Sequence, residues 1–319
     1  MEDTLPVADG IDAIDTHMLG RYELTSAYLI RGDQPALIET GPATSARSVL
    51  DGLRSLGMDP ADLAHVIVTH VHLDHAGGVG TLAKAFPRAT IWAHERGAPH
   101  LADPTKLVAG TVRAYGGEHI LRAYGDVDPT PAERLRPIGE GNRIDLGSRA
   151  LEVFETPGHA SHHLCLLDPH TGATFTGDAL GVHIPDVRVL RPALPPPDCD
   201  VDAAVDSIRR IRERAGLLLL SHFGPVLEVD HLCELAEKRL LAWSETVRRA
   251  TLTTDDVDEI AALLEKQGAA EYLEDSGEPI DIEKYDVLTS IRMNAAGLAR
   301  YWRKRRDAGR PDDLGPAPD

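Results

Sequence analysis

Along residues 10–225, short apolar runs rich in β-branched residues alternate with amphipathic stretches, and turn residues separate them. Apolar runs of about four to eight residues predict strands, and an apolar period of about 3.6 residues predicts helices. The predicted strands are Ile11–Leu19, Leu24–Ile30, Ala36–Thr40, His65–Thr69, Thr90–Ala93, Arg134–Ile138, Arg143–Leu146, Leu151–Glu155, Leu164–Leu167, Thr174–Thr176 and Leu217–Leu220. The predicted helices among them are Ser45–Leu56 and Val79–Phe86. Two strand-rich halves, each with helices, predict an α/β (α+β) fold of four layers, an αββα sandwich.

Helical periodicity dominates two further parts of the chain, an insert at about residues 95–130 and residues 230–319. The helical stretches are Glu95–Leu101 and Lys106–Tyr115 in the insert, and then His231–Ala250, Asp255–Gln267 and one long helix at Lys284–Arg306. We therefore expect a sandwich domain at residues 1–229 and a C-terminal helical extension at residues 230–319. The apolar stripe of the last helix fits packing on the sandwich, shaping of a pocket or a homodimer contact, and these alternatives stay open.

Composition narrows the function. The chain has 51 acidic and 33 basic residues, a formal net charge of −18. Because nucleic-acid binding needs cations that neutralise phosphates, this balance predicts no nucleic-acid partner. We find no signal-peptide pattern in residues 1–20 and no apolar run of about 18 residues, so we expect a cytoplasmic protein without a membrane partner. Three widely spaced cysteines, without a C-x-x-C pair, also fit a reducing compartment.

The strongest chemical signal is Thr69-His70-Val71-His72-Leu73-Asp74-His75, which gathers three imidazoles and a carboxylate. Imidazole suits zinc, copper and iron, and a carboxylate adds a charge-neutralising ligand. Burial of so many polar groups without a metal would leave several of them unsatisfied. The segment follows a predicted strand and precedes a predicted helix, a common place for chemistry in α/β folds. It therefore predicts a metal site.

Three more predicted strands end in a potential ligand. His159 follows the strand that ends at Glu155, Asp178 follows the strand Thr174–Thr176, and His222 follows the four leucines at Leu217–Leu220. A single strand-end His or Asp is more often a cap or a turn residue. Four such strand ends, in contrast, converge naturally on one edge of a sandwich, so we expect these residues to join the first segment.

This combination resembles the metallo-β-lactamase superfamily, whose hallmark is a T-H-x-H-x-D-H loop followed by distant His, Asp and His ligands. The resemblance covers residues 10–225, and it implies the family's αββα fold and two divalent metal ions per chain. It further implies that one ion is held by His70, His72 and His159, that the other is held by Asp74, His75 and His222, and that Asp178 bridges them. Zinc is the default, and iron or manganese also suits such ligands. Glu39 stands where the family usually has Asp at a supporting position, and His163 resembles another supporting residue.

The resemblance implies a hydrolase in which two ions share a hydroxide nucleophile, with Asp74 both a ligand and the catalytic residue that orients it. We expect a small-molecule ester, lactone or thioester as substrate, and a phosphodiester is also compatible. The alternatives are an iron-dependent sulfur or oxygen redox enzyme of the same fold and a non-catalytic metal-bound binding protein. In the loop after Asp178, His183 fits an oxyanion donor, a proton shuttle or a surface residue. Arg188 and Arg191 fit either a clamp on a substrate anion or solvated loop charges.

Overall fold

The computed structural model describes residues 3–184, 189–277 and 286–311. The chain divides into two compact units that are interleaved in sequence. The first unit comprises Met1–Glu155, His162–Asp178 and Ile211–Val229, and the second comprises Thr156–Ser161, Ala179–Arg210 and Asp230–Asp319.

Strands dominate the first unit. Its first eleven are β1 (Thr4–Ala8), β2 (Ile11–Asp15), β3 (Ser26–Ile30), β4 (Ala36–Ile38), β5 (His65–Ile67), β6 (Thr90–His94), β7 (Leu135–Ile138), β8 (Arg143–Asp145), β9 (Ala150–Glu155), β10 (Leu164–Asp168) and β11 (Ala173–Phe175). Then come the hairpin strands β12 (Val182–Ile184) and β13 (Val189–Arg191) of the second unit, and β14 (Leu217–Leu220) and β15 (Gly224–Val226) of the first.

Helices occur in both units. They are α1 (Ala46–Ser55), α2 (Leu73–Ala76), α3 (Val79–Ala85), α4 (Ala98–Ala102), α5 (Thr105–Ala114), α6 (Leu121–Tyr124), α7 (Val201–Arg214), α8 (Val229–Ala250), α9 (Val257–Ser276) and α10 (Ile291–Asp307). In the part of the chain that the structure describes, no helix combines the length and the apolar character needed to cross a membrane.

Two sheets form the first unit. Strands β1 to β7 follow one another in sequence order, antiparallel up to β4 and parallel from β4 to β7. The second sheet has the order β15-β14-β11-β10-β9-β8, and only its β11–β14 pair is parallel. Each predicted strand overlaps one strand of these sheets, whereas β1 and β15 were not predicted.

Alternate residues along the strands explain how the layers pack, since successive side chains point to opposite faces. One apolar cluster, with Leu29, Leu37 and Val66, packs between the first sheet and its covering helices. The other cluster brings Ile38 and Phe175 together and fills the space between the sheets. The first unit thus contains a helix layer and two sheet layers with the core on both sides of the first sheet.

The second unit is mainly helical. Helices α9 and α10 pack together, and Trp302 of α10 donates its indole N–H to the carbonyl of Ser244 in α8 at 3.0 Å. Arg239 of α8 pairs with Asp275 of α9 at 2.6 Å. Buried aromatic and ion-pair contacts therefore join the three long helices, as expected for a helical region.

The predicted bounds of several elements are wrong. Helix α9, predicted at Asp255–Gln267, runs from Val257 to Ser276. The strand predicted at Ile11–Leu19 ends at Asp15, because the Asp15 carboxylate accepts the N–H groups of His17 and Glu23 and holds a turn there. The single helix predicted at Lys284–Arg306 begins only at Ile291, after a turn that ends at Ser290, and residues 278–285 lie outside the described residues. The extended backbone of Ser290, with φ −62° and ψ 133°, interrupts the helical path just before Ile291, which explains the later start.

Candidate metal centre

The segment Thr69–His75, which holds potential metal ligands, lies between the end of strand β5 and helix α2. The strand ends at Ile67, and the one-turn helix Leu73–Ala76 then carries Asp74 and His75 on consecutive residues. Gly77 closes this helix against the Pro42–Ala43 backbone, where a Cβ on Gly77 would lie 2.8 Å from the Ala43 nitrogen. Glycine is therefore needed for this close approach, which fixes how the segment is presented.

His70 and His72 turn ring nitrogens toward each other. His70 Nε2 lies 3.1 Å from His72 Nδ1, and the other nitrogen of His70, Nδ1, lies 3.0 Å from the hydroxyl of Thr69. The donor atoms of His70, His75 and Asp178 also lie within 4.8 Å of one another. This spacing lets His70 and His72 bind one cation together.

A second convergence involves His75, His222, Asp74 and Asp178, all of them buried. His75 Nε2 lies 3.3 Å from Asp178 Oδ1 and 3.6 Å from Asp74 Oδ2. His222 Nε2 lies 3.2 Å from Asp178 Oδ1 and 3.7 Å from Asp74 Oδ2. Ligand atoms about 2.0 Å from a tetrahedral zinc ion are separated by about 3.3 Å, so this group fits a divalent metal.

The ring nitrogens that face away from this group are already held by the protein. His75 Nδ1 lies 3.3 Å from Glu39 Oε2, and His222 Nδ1 lies 3.1 Å from the carbonyl oxygen of Leu24. These partners favour a proton on Nδ1 and leave Nε2 as the metal-binding nitrogen. Both Nε2 atoms are buried and make no hydrogen bond of good geometry within the described ranges. A cation would satisfy them.

The charges around His75 and His222 also favour a bound cation. Burial lowers the pKa of His75, but the charges of Asp178, Asp74 and Glu39 outweigh it and hold this pKa well above its usual range. In His222, burial likewise lowers the pKa, and Asp178 outweighs it, so that the net shift is upward. The centre therefore attracts positive charge, whether a proton or a metal ion.

Asp178 is positioned by two neighbours. Its backbone N–H donates to His163 Nε2 at 3.0 Å, and Gly177, with a φ of +50°, makes the turn that ends β11. A Cβ on Gly177 would lie 2.4 Å from His163 Nε2. His163 therefore has a supporting place, as the resemblance implies, and Glu39 has another against His75.

The remaining predicted residues lie in the second unit. His159 Nδ1 lies 2.6 Å from the Ala193 carbonyl oxygen, to which it donates its proton, and the role of His159 as a ligand stays a prediction. His183 lies in β12, and burial lowers its pKa. Arg191 is buried and donates to Tyr272, Asp286 and Thr289 of the same unit. Arg188 lies outside the described residues. The substrate roles of His183, Arg188 and Arg191 stay predictions.

Sequence patterns did not single out two groups that the structure places here. The Leu24 carbonyl oxygen orients His222, and a backbone carbonyl carries no residue-type signal. Tyr124 lies at the end of α6, within the electrostatic reach of Asp74. The helical insert was predicted, but no motif marked this tyrosine.

Known proteins resemble this chain in sequence and in fold. The family model of the metallo-beta-lactamase superfamily matches residues 20–222. The probable metallo-hydrolase YqjP of Bacillus subtilis is 27% identical over 243 residues, which cover 70% of this chain and 74% of that protein. The human acyl-coenzyme A thioesterase MBLAC2 is 28% identical over 199 residues, 54% of this chain and 64% of the thioesterase. The fold is similar to that of the metallo-beta-lactamase family protein TTHA1429 of Thermus thermophilus, with a TM-score of 0.69 and 20% identity over 94% of each chain.

Proposed function

Because this chain belongs to the metallo-β-lactamase superfamily, we propose that it is a metal-dependent hydrolase of small ester, lactone or thioester substrates. One observation carries the proposal, the convergence of His75, His222 and Asp178 at 3.2–3.3 Å beside Asp74. The relative named as an acyl-coenzyme A thioesterase supports thioesters as the first class to test.

The proposed cofactor is a pair of divalent ions, with zinc as the default. Bound metal ions lower the pKa of water and polarise a carbonyl oxygen. The residues of the chain would bind the ions and orient the water and the ligands. The imidazoles would bind the ions, with His159 proposed as a further ligand, and the carboxylates of Asp74 and Asp178 would bind them and neutralise part of their charge. Asp74 would also orient the attacking water. Glu39 and His163 hold His75 and Asp178 in place.

Metal content and hydrolysis, measured on the same preparation, test the proposal. We expect about two zinc ions per chain in protein purified without chelators or a metal-binding tag, and hydrolysis of at least one member of an ester, lactone and thioester panel. Asp74→Ala should lower kcat by roughly 100-fold or more. Asp51→Ala, which removes an exposed carboxylate of α1, serves as the control.

Retained hydrolysis in Asp74→Ala would contradict the mechanism. A single iron ion per chain, without hydrolysis, would instead favour the redox alternative. Metal uptake with no turnover of any kind would favour the binding-protein alternative.

A further inference from the structure

Two tyrosines of the helical insert lie next to each other. Tyr115 follows α5 and Tyr124 ends α6. Their hydroxyl oxygens are 3.2 Å apart, and their rings meet edge to face with centroids 6.1 Å apart. Tyr124 is buried, whereas Tyr115 is half-buried. A buried tyrosine hydroxyl needs a hydrogen-bond partner, and these two provide one for each other.

The 3₁₀ helix Ala43–Ser45 links the insert to the helix that carries Asp74 and His75. On one side, the Thr44 hydroxyl donates to the Ala123 carbonyl oxygen in α6 at 2.7 Å. On the other side, Gly77 at the end of α2 packs against the same segment. The helix that carries Asp74 and His75 and the helix that ends in Tyr124 therefore both pack against these three residues.

The tyrosines also respond to the charges of the centre. Burial raises the pKa of Tyr115 to about 12, and the carboxylate of Asp74 contributes. The pKa of Tyr124 is raised well above its usual range by burial first and then by Asp74. Asp178 acts on both hydroxyls in the same direction. Both side chains therefore stay protonated donors throughout the neutral range.

The number of hydroxyl protons shows that the two tyrosines can donate one further hydrogen bond. Two neutral hydroxyls carry two protons, and the bond between them uses one. Within residues 3–184, 189–277 and 286–311, neither hydroxyl has another hydrogen bond that would use the second proton. If buried Tyr124 donates to half-buried Tyr115, the Tyr115 hydroxyl keeps a proton that it can donate to another acceptor.

We propose that Tyr115 donates a hydrogen bond to the carbonyl oxygen of the substrate and that Tyr124 positions it for this contact. The inference rests on the proposed hydrolytic function and names a donor that the metal-ligand set does not contain. Such a donor becomes stronger as negative charge develops on the carbonyl oxygen, so it stabilises the transition state more than the bound substrate. It acts equally on an oxygen ester and a thioester, because both have the same carbonyl group.

Single hydroxyl deletions test this assignment. In metal-loaded protein, Tyr115→Phe should lower kcat by roughly 30- to 100-fold, with KM changed much less, on an oxygen ester and a thioester of the same acyl group. Tyr124→Phe should give a smaller loss in kcat. Tyr301→Phe, which removes a hydroxyl bonded to Arg305 in the second unit, is the matched control.

Equal kcat values for Tyr115→Phe and the control would overturn the proposal while leaving the hydrolase intact. A loss confined to the oxygen ester would also overturn it, since that pattern points to the leaving group instead of the carbonyl oxygen.

Binding of a carboxylate product gives a readout independent of turnover. Butyrate, titrated into the zinc-loaded protein by calorimetry, should bind roughly 10-fold more weakly to Tyr115→Phe than to the wild type. Equal affinities would overturn the proposal even if no substrate is found. A wild-type protein that neither hydrolyses the panel nor binds butyrate would overturn both the donor and the proposed function.

Discussion

At the scale of single residues, the centre depends on how each imidazole divides its two nitrogens. In His75 and His222, Nδ1 is held by Glu39 and by the Leu24 carbonyl oxygen, and Nε2 faces Asp178. Sequence reasoning predicted the donors because residue types and strand ends identify them. It could not predict the Leu24 partner, because any residue supplies a carbonyl oxygen and only the fold decides which one arrives.

Glu39 gives the first prediction. Its Oε1 accepts the N–H of Thr69 at 3.1 Å and its Oε2 faces His75 Nδ1, so Glu39 connects the backbone at Thr69 to the imidazole of His75. Glu39→Gln should weaken metal binding by roughly 10- to 100-fold, because the amide orients the imidazole less well and does not raise its basicity. Competition with a chromophoric chelator measures this affinity. The exposed Glu228→Gln is the control, and equal affinities of the two variants would refute this role.

The raised pKa values of His75 and His222 predict how metal-free protein responds to pH. The ordinary value for histidine is 6.5, and burial is outweighed by carboxylate charge in both residues. A proton held more tightly in the folded state stabilises fully below about pH 6.5, and this stability is lost as the pH rises through the raised values. Urea unfolding of chelator-treated protein at about pH 6 and about pH 9 should show the fall.

Zinc-loaded protein is the control for that pH series. Its metal takes the place of the protons, so the fall with rising pH should be much smaller. A free energy of unfolding that stays level or rises in the metal-free protein would show that carboxylate charge does not dominate these histidines.

At the scale of elements, the strand ends and the turns after them carry the chemistry. Strand β11 delivers Asp178 through the left-handed turn at Gly177, and β14 delivers His222 directly. The strands were predictable because their apolar runs are short and bounded by turn residues. The hairpin β12–β13 was not predicted, because the prolines that follow it favoured a loop.

Gly177 provides a prediction at this scale. An alanine there would meet His163 Nε2 at 2.4 Å and Thr69 Oγ1 at 2.6 Å. Gly177→Ala should therefore destabilise the protein by roughly 1–3 kcal/mol beyond the backbone cost and should displace Asp178, with loss of bound metal. Gly57→Ala isolates the backbone cost of about 1–2 kcal/mol, since Gly57 has a φ of +82° and nothing within 4 Å. Unfolding curves and metal analysis of both variants provide the test.

Arg191, predicted in a loop, ends strand β13 and makes buried structural contacts in the second unit. Its Nε lies 2.7 Å from the Tyr272 hydroxyl, and its Nη1 lies 2.6 Å from Asp286 Oδ1 and 2.9 Å from the Thr289 carbonyl oxygen. Arg191→Met should cost roughly 2–4 kcal/mol in the free energy of unfolding, because the buried Tyr272 hydroxyl and Thr289 carbonyl oxygen lose their donor. The comparison is the exposed ion pair of Arg292 with Asp258. Arg292→Met should lower the free energy of unfolding by about 1 kcal/mol or less. Similar losses in both variants would mean that the buried bonds add nothing.

At the scale of the whole molecule, the fold class and the family were predicted correctly. The αββα pattern follows from strand and helix periodicity, and the family follows from one dense motif with three distant partners. The start of α10 at Ile291 was not predictable from periodicity, because apolar Val287 and Leu288 continue the stripe through a turn. Arg303 of α10 forms an ion pair with Asp255 of its own unit at 2.9 Å. The predicted lack of a nucleic-acid partner stays a prediction.

Metal binding should stabilise the entire chain. A ligand that binds only the folded protein adds about 2.7 kcal/mol when its free concentration is 100-fold above its Kd. Thermal unfolding should therefore shift upward when zinc is added to chelator-treated protein, and the shift should disappear in Glu39→Gln at zinc concentrations near the wild-type Kd. No shift in the wild type would mean that the centre does not hold zinc.

The sequence order of the two sheets has a consequence for synthesis on the ribosome. Strands β1–β7 use residues up to Ile138, whereas the sheet that covers their inner face needs the chain as far as Val226. Until then, the nascent chain carries a complete sheet whose apolar side chains, such as Ile38 and Ile67, lack their cover. Such a surface promotes aggregation, so we expect chaperone binding to reduce aggregation of the growing chain during this interval. The proposed metal site is completed at about the same stage, because Asp178 and His222 are made long after His75, and His222 is made only shortly before Val226.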